Sequence, residues 1–218
     1  MSKYRLVIFD LDGTILDTSE GILASVEHTI NQLGLPLLNR KEMLNFIGPP
    51  VQNSFAKYYK LSGTSLQQAA DMFRDNYSKH HLLLAKPYEG IYEVFDYLRA
   101  SNIQPAIATY KREDYAIKLL KYFKFDKYTD IMFGADNENK LTKADIIDKC
   151  KQKAQEQNLQ KMIMIGDTNH DAIGAAEMGI DFLAVTYGFG FKNKDDLSGI
   201  KKTAIAKNPL EIIQLFIH

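Results

Sequence analysis

Apolar residues gather along this chain in short bursts, and most of the bursts run without alternation. RLVIF (5–9), PAIAT (105–109), DIMFG (130–134), MIMIG (162–166), FLAVTY (182–187) and TAIA (203–206) are of this kind. Consecutive apolar positions suit strands covered on both faces, because a strand with one wet face would alternate. Between the bursts the apolar spacing changes to threes and fours. GIYEVFDYLRAS (90–101), EDYAIKLLKYF (113–123), KADIIDKCKQKAQ (143–155), DAIGAAEMG (171–179) and PLEIIQLF (209–216) each place their apolar residues along one helical face. Strand alternating with helix predicts an α/β fold, a Rossmann-like parallel sheet core with right-handed crossovers.

Residues 16–85 break this rhythm directly after the first strand. They hold helical patterns at 20–33, 40–47, 51–60 and 65–84 and no convincing strand. A structureless connection longer than about 12 to 15 residues is uncommon in a compact domain. The stretch therefore predicts an inserted all-helical domain over 16–85, with residues 1–15 and 86–218 forming the α/β core. The linkers fall near 15–19 and 83–88, and Pro87 helps to end the last helical run.

The 218 residues include 27 Lys and Arg against 27 Asp and Glu, 45% hydrophobic residues, one cysteine and no tryptophan. That length suits one or two domains. Zero formal charge removes the overall pull expected of a nucleic-acid or anionic-membrane binder, so neither partner is expected. The longest apolar runs, such as LVIF (6–9) and FLAV (182–185), fall far short of the roughly 18 to 20 residues that span a bilayer. MSKYRLVIFD goes straight into a strand pattern, without the segments of a signal peptide, so a cytoplasmic location is the expectation. Cys150 has no second cysteine to pair with. It falls at helical spacing with Ile146, Ile147 and Ala154, which makes it a core thiol.

The first strand runs into Asp10-Leu11-Asp12-Gly13-Thr14. A period of two sends Asp10 and Asp12 to the same side, and Gly13 permits a turn that residues with a Cβ resist. Two carboxylates then share a space at the carboxyl end of a strand, where open parallel sheets bind ligands. An ordinary turn rich in Asp and Gly would look the same locally. A calcium-binding EF-hand loop does not fit, since Ile15 stands where its glycine belongs and a strand leads in. After MIMIG comes Gly166-Asp167-Thr168-Asn169-His170-Asp171. Asp167 and Asp171 are four apart, so a loop running into a helix can aim both at one point, although Asp171 could equally be only the helix N-cap.

If the two acidic loops lie on adjacent strands, each pair of carboxylates about 4 Å apart costs about 4 kcal/mol at an effective dielectric of about 20. A hard divalent cation relieves that repulsion. Mg²⁺ is the expected cofactor, because it keeps waters and shares its shell with phosphate oxygens. Thr109, ending PAIAT, offers a hydroxyl to a phosphate oxygen or serves as N-cap of the next helix. Lys143, opening KADIIDKC, can neutralise phosphate and carboxylate charge, and Lys140 competes for that role.

Together these segments make the sequence resemble the haloacid dehalogenase-like hydrolases, in the phosphatase branch with an all-helical cap inserted after the first strand. Four motifs stand in order: DLDGT (10–14), the Thr of IATYK (107–111), the Lys of LTKADII (141–147) and GDTNHD (166–171). The resemblance covers essentially the whole chain. FIGPP (46–50) and YGFG (187–190) further resemble the phosphoglycolate phosphatase-like group. The third motif departs from the Lys-Pro-x-Pro of many members, reading Lys140-Leu141-Thr142-Lys143.

The resemblance implies a Mg²⁺-dependent hydrolase of a small phosphorylated metabolite. Asp10 would be the nucleophile that forms an aspartyl-phosphate, and Asp12 the general acid and then base, a role that asks for a carboxyl able to take a proton near neutral pH. Thr109, Lys143 and nearby N–H groups would bind phosphoryl oxygens. Asp10, the Asp12 carbonyl, Asp167 and Asp171, directly or through water, would hold the metal, with 16–85 as a lid.

A sugar phosphomutase, a nucleotidase or a pyrophosphatase of the same fold are the alternatives, and a phosphonatase would need a cap lysine such as Lys57 or Lys60. Asp12 argues against carbon–halogen cleavage, because a halide leaves without a proton. In a different class, a non-catalytic phosphate-binding regulator would show no metal-dependent hydrolysis, and a phospho-acceptor receiver has no such helical insert. Within the insert, Gly48-Pro49-Pro50 is the expected pocket-facing loop. Arg74, Lys79 and His80 are candidate substrate contacts, Phe73 and Tyr77 belong to the cap core, and His170 is expected to face solvent from a loop. A monomer is the default, with a dimer as the alternative.

Overall fold

The computed structural model describes residues 2–136 and 140–217. In chain order, β1 (Leu6–Phe9) and the short β2 (Leu16–Asp17) precede α1 (Ser19–Gln32), α2 (Arg40–Leu44), α3 (Val51–Tyr59) and α4 (Gly63–Asn76). A π-helical turn, Tyr77–His81, then leads to the short β3 (Lys86–Pro87). The remainder alternates: α5 (Ile91–Ala100), β4 (Gln104–Arg112), α6 (Glu113–Tyr122), β5 (Met132–Ala135), α7 (Lys143–Ala154), β6 (Met162–Gly166), α8 (Asn169–Met178), β7 (Asp181–Val185), β8 (Ala204–Ala206) and α9 (Leu210–Ile217). The chain divides into two compact units, Met1–Leu16 with Pro87–His218, and Asp17–Lys86. β2 and β3, where the chain passes from one unit to the other and back, pair with each other. Among the described residues no helix is long and apolar enough to cross a membrane.

The larger unit is built on a six-stranded parallel sheet in the order β5-β4-β1-β6-β7-β8. β1 and β6 are buried along their whole length, as their unbroken apolar sequences require. Leu6 and Ile8 face the side where Ile146, Ile147 and Cys150 of α7 complete the core. On the other side the ring of Phe9 stacks on Phe95 of α5 with centroids 4.9 Å apart. From β1 the chain first adds strands on one side and then, with β6, on the other. That reversal makes the β1–β6 boundary a topological switch point, where the carboxyl ends of parallel strands leave a crevice. Phe9 pairs with Ile165, and Asp10 N–H donates to the Ile165 carbonyl at 2.9 Å, so the acidic loops after β1 and β6 emerge side by side.

β4 runs further than the apolar pattern indicates. It continues through Thr109 to Arg112, with a register shift between Ala108 and Arg112. Arg112 is therefore the N-cap of α6, and the reading of Thr109 as a helix cap is overturned. The overrun fits because residue 134 on β5 is glycine: a Cβ there would run into the Lys111 carbonyl and the Glu113 backbone. β7 ends at Val185, short of the expected 187.

The smaller unit packs α1 and α3 on α4, with Ile22, Val26, Ile30, Phe55, Ala69, Ala70 and Phe73 inside. Phe73 and Tyr77 are buried and stacked with centroids 5.6 Å apart, as expected of core residues. The expected helix over 65–84 is instead α4 followed by the π turn. α2 is shorter than 40–47 and buries none of its residues; it is held by a capping box in which Asn39 Oδ1 and the Glu42 carboxylate accept from each other's backbone N–H. Lys57 is exposed, and Lys60 is exposed as the left-handed cap of α3. Arg74 and Lys79 pair with Asp71 and Asp75 on their own helical surface, and His80 is exposed.

Candidate active site

Every expected site residue is buried: Asp10, Asp12, Thr109, Lys143, Asp167 and Asp171 are each at most 6% exposed. Asp10 and Asp12 follow β1, Asp167 follows β6, Thr109 lies within β4, and Lys143 and Asp171 stand in the first turns of α7 and α8. Asp10 follows β1, and the chain then turns sharply through Gly13, whose φ of 83° is a left-handed conformation that glycine adopts at no steric cost. The same glycine lets Asp167 approach, since a Cβ at 13 would collide with its carboxylate.

Lys143 sits at the first position of α7, fixed by a capping box between Thr142 and Asp145 and by donation of its backbone N–H to the Tyr110 hydroxyl at 2.9 Å. Its ammonium lies 2.7 Å from Asp10 Oδ1 and 2.7 Å from Asp171 Oδ1. Lys140, by contrast, is exposed. Asp171 is not the N-cap of α8, which is Thr168. Its Oδ2 accepts from the Thr168 backbone N–H at 3.0 Å and hydroxyl at 2.7 Å, which leaves Oδ1 turned to Lys143. His170 is exposed on the first turn of α8, edge-on to Tyr110, and not in a loop.

One oxygen each from Asp10, Asp167 and Asp171 lie within 4.8 Å of one another. Burial, opposed by Lys143 but aided by Asp171 and Asp12, pushes Asp10 up to about 7. Asp167 is pushed up to about 8, first by burial and then by Asp171 and Asp10. Burial favours a neutral Lys143, but Asp10 and Asp171 outweigh it and hold the ammonium charged. One lysine does not balance three buried carboxylates, and the cluster keeps a strong demand for positive charge.

The family model of the haloacid dehalogenase-like hydrolases matches residues 7–185. The chain belongs to this family. Among its relatives, the pyrophosphatase PpaX of Halalkalibacterium halodurans is 32% identical over 186 residues, covering 85% of each chain. The tyrosine-protein kinase PtkA of Mycobacterium tuberculosis is 31% identical over 188 residues, 85% of this chain, and this chain spans only 63% of that relative's length. The crystal structure of a predicted phosphatase from Clostridium acetobutylicum superposes with a TM-score of 0.89 at 31% identity, covering 98% of both chains.

The acidic cluster of this chain fits a divalent cation. Asp167 Oδ1 is fully buried and accepts no hydrogen bond, an arrangement that costs free energy unless a cation or water faces it. Its other oxygen is locked by the backbone N–H groups of Phe189 and Gly190 at 2.7 and 3.0 Å. These two amides are donors to the cluster that the spacing of side chains does not reveal. Their sequence trace is the pair Gly188 and Gly190, where a Cβ would strike the Gly13 carbonyl and the Asp167 carbonyl respectively. Lys111 also went unmarked in the sequence. Its ammonium lies 3.0 Å from Asp12 Oδ1, with both side chains 6% exposed. A strand drawn past Thr109 would have put Lys111 on the same face as Thr109 by the period of two.

Proposed function

We propose that this protein is a Mg²⁺-dependent phosphatase that hydrolyses a small-molecule phosphomonoester, phosphoglycolate phosphatase-like, through an aspartyl-phosphate on Asp10. The observation that carries this reading is the ring of Asp10, Asp167 and Asp171 oxygens closed by Lys143, with Asp12 two residues beyond Asp10. Asp10, the Asp12 carbonyl, Asp167 and Asp171 would hold the cation. When bound it would neutralise the carboxylates and draw charge from the phosphoryl oxygens.

An Asp10 oxygen forms a bond to phosphorus as the bond from phosphorus to the leaving alcohol breaks, and Asp12 gives that alcohol its proton. A water oxygen then bonds to the same phosphorus, Asp12 takes the water's proton, and the bond to Asp10 breaks to release inorganic phosphate. Thr109 Oγ1 accepts the Lys111 backbone N–H at 3.1 Å, which directs its own proton elsewhere, toward a phosphoryl oxygen. Lys143 offsets negative charge as it builds on Asp10 and the transferring group. The helical unit is assigned the part of a cap that selects substrate.

The likeness to PpaX favours pyrophosphate as a second substrate reading. Both are tested by phosphate release from p-nitrophenyl phosphate, phosphoglycolate, sugar phosphates, nucleotides and pyrophosphate, with Mg²⁺ or EDTA. Activity that needs both Mg²⁺ and Asp10, lost in Asp10→Asn, is the expected result, and the preferred substrate separates the two readings. A folded protein that releases no phosphate from any of them would sink the proposal.

A further inference from the structure

We propose that Lys111 is the positioning residue of Asp12, holding its carboxylate in the orientation from which it exchanges protons with the leaving group and with water. This rests on the role given to Asp12 above. Lys143 cannot do this work, because its ammonium is engaged by Asp10 and Asp171. Lys111 is the second cation of the larger unit brought to a buried carboxylate of this cluster, 3.0 Å from Asp12 Oδ1.

Three features show that the contact is built into the fold. Both side chains are only 6% exposed, and a charge so far from water is costly unless it stays paired. The Lys111 backbone N–H donates to Thr109 Oγ1 at 3.1 Å, which ties the lysine to the hydroxyl assigned to the phosphoryl group. The register shift in β4 and the bare Cα of Gly134 together set the path of Lys111: a Cβ at 134 would lie 2.5 Å from the Lys111 carbonyl oxygen and 2.6 Å from Glu113 Cα. An ion pair made through one named oxygen fixes the torsion of the carboxylate. A carboxyl that must serve two successive proton transfers gains rate from being held in one orientation.

The test uses the full chain with Mg²⁺ and p-nitrophenyl phosphate, with kcat referred to the folded fraction. Lys111→Met should lower kcat roughly 10- to 100-fold, the scale of a misplacement near 1 Å, and leave KM within about twofold. Lys111→Arg, which restores the charge, should recover most of that loss. An unchanged kcat, a loss carried by KM, or no recovery with arginine would overturn the proposal; a KM effect would mark Lys111 as a substrate ligand.

A second measurement needs no turnover and stands if Lys111→Met fails to fold. The ¹H–¹⁵N signal of the Lys111 ammonium in the native chain should shift in Asp12→Asn, and an unmoved signal refutes the pairing. Asp10-dependent activity that survives Lys111→Met undiminished would defeat this inference alone. Absence of Asp10-dependent activity in the native protein would defeat the phosphatase reading and this role with it.

Discussion

Asp167 divides its work between two oxygens, one saturated by backbone amides and one buried without a donor. Asp171 divides likewise between Thr168 and Lys143. Such side chains tolerate little displacement, and Gly166 shows how little room exists, since a Cβ there would collide with the Asp171 carboxylate. Gly166→Ala is expected to weaken Mg²⁺ binding by about tenfold or more while the far-ultraviolet circular dichroism stays native; calorimetric titration with Mg²⁺ checks it. Unaltered affinity would mean that Asp171 moves aside at no cost. The sequence pointed to the acidic residues through carboxylates two and four apart after apolar runs, and their convergence depends on β1 and β6 being neighbours in the sheet. Lys143 stood out over Lys140 because it opens the helical pattern KADIIDKC, and α7 does begin there. Lys111 was hidden by the polar run YKRED, which conceals that the strand continues.

Among elements, α7 connects local chemistry to the site most directly. Thr142 Oγ1 accepts from Asp145 N–H at 3.1 Å, and the Asp145 carboxylate accepts from Thr142 N–H at 2.8 Å. This box sets Thr142 as the N-cap, so that the helix begins at Lys143 and the origin of its side chain is fixed. Thr142→Ala should lower stability by about 1 kcal/mol in urea denaturation, with the slope unchanged. A loss near zero would show that packing of Ile146, Ile147 and Cys150 alone positions the helix. The strands of the core were legible because apolar runs without alternation leave few options. The end of α4 was not: a π turn and an α-helix place apolar residues at nearly the same spacing, and only the hydrogen-bond pattern separates them.

For the whole molecule, the sheet order puts two acidic loops at one crevice, and this makes stability depend on pH and metal together. The unfolded chain releases the Asp10 and Asp167 protons near 3.8, whereas the folded metal-free protein keeps them until about 7 and about 8. At these two groups the native state therefore binds more protons over that window, and their contribution to stability falls as pH rises from about 4 to about 8. Under the proposed function, bound Mg²⁺ would take the place of those protons. The rise in Tm on adding Mg²⁺ should grow between pH 6 and pH 8, read from thermal melts with Mg²⁺ or EDTA; a rise that shrinks with pH would contradict the raised carboxylates.

The same architecture also supplies its own reporter. Cys150, the only thiol in the chain, is fully buried on the sheet-facing side of α7 with Sγ 3.3 Å from the Ile107 carbonyl of β4, and burial holds the thiol well above its ordinary range. An alkylating reagent reaches it only through openings that lift α7 from the sheet. The rate of labelling thus times the breathing of the very helix that presents Lys143, with no probe added to the molecule.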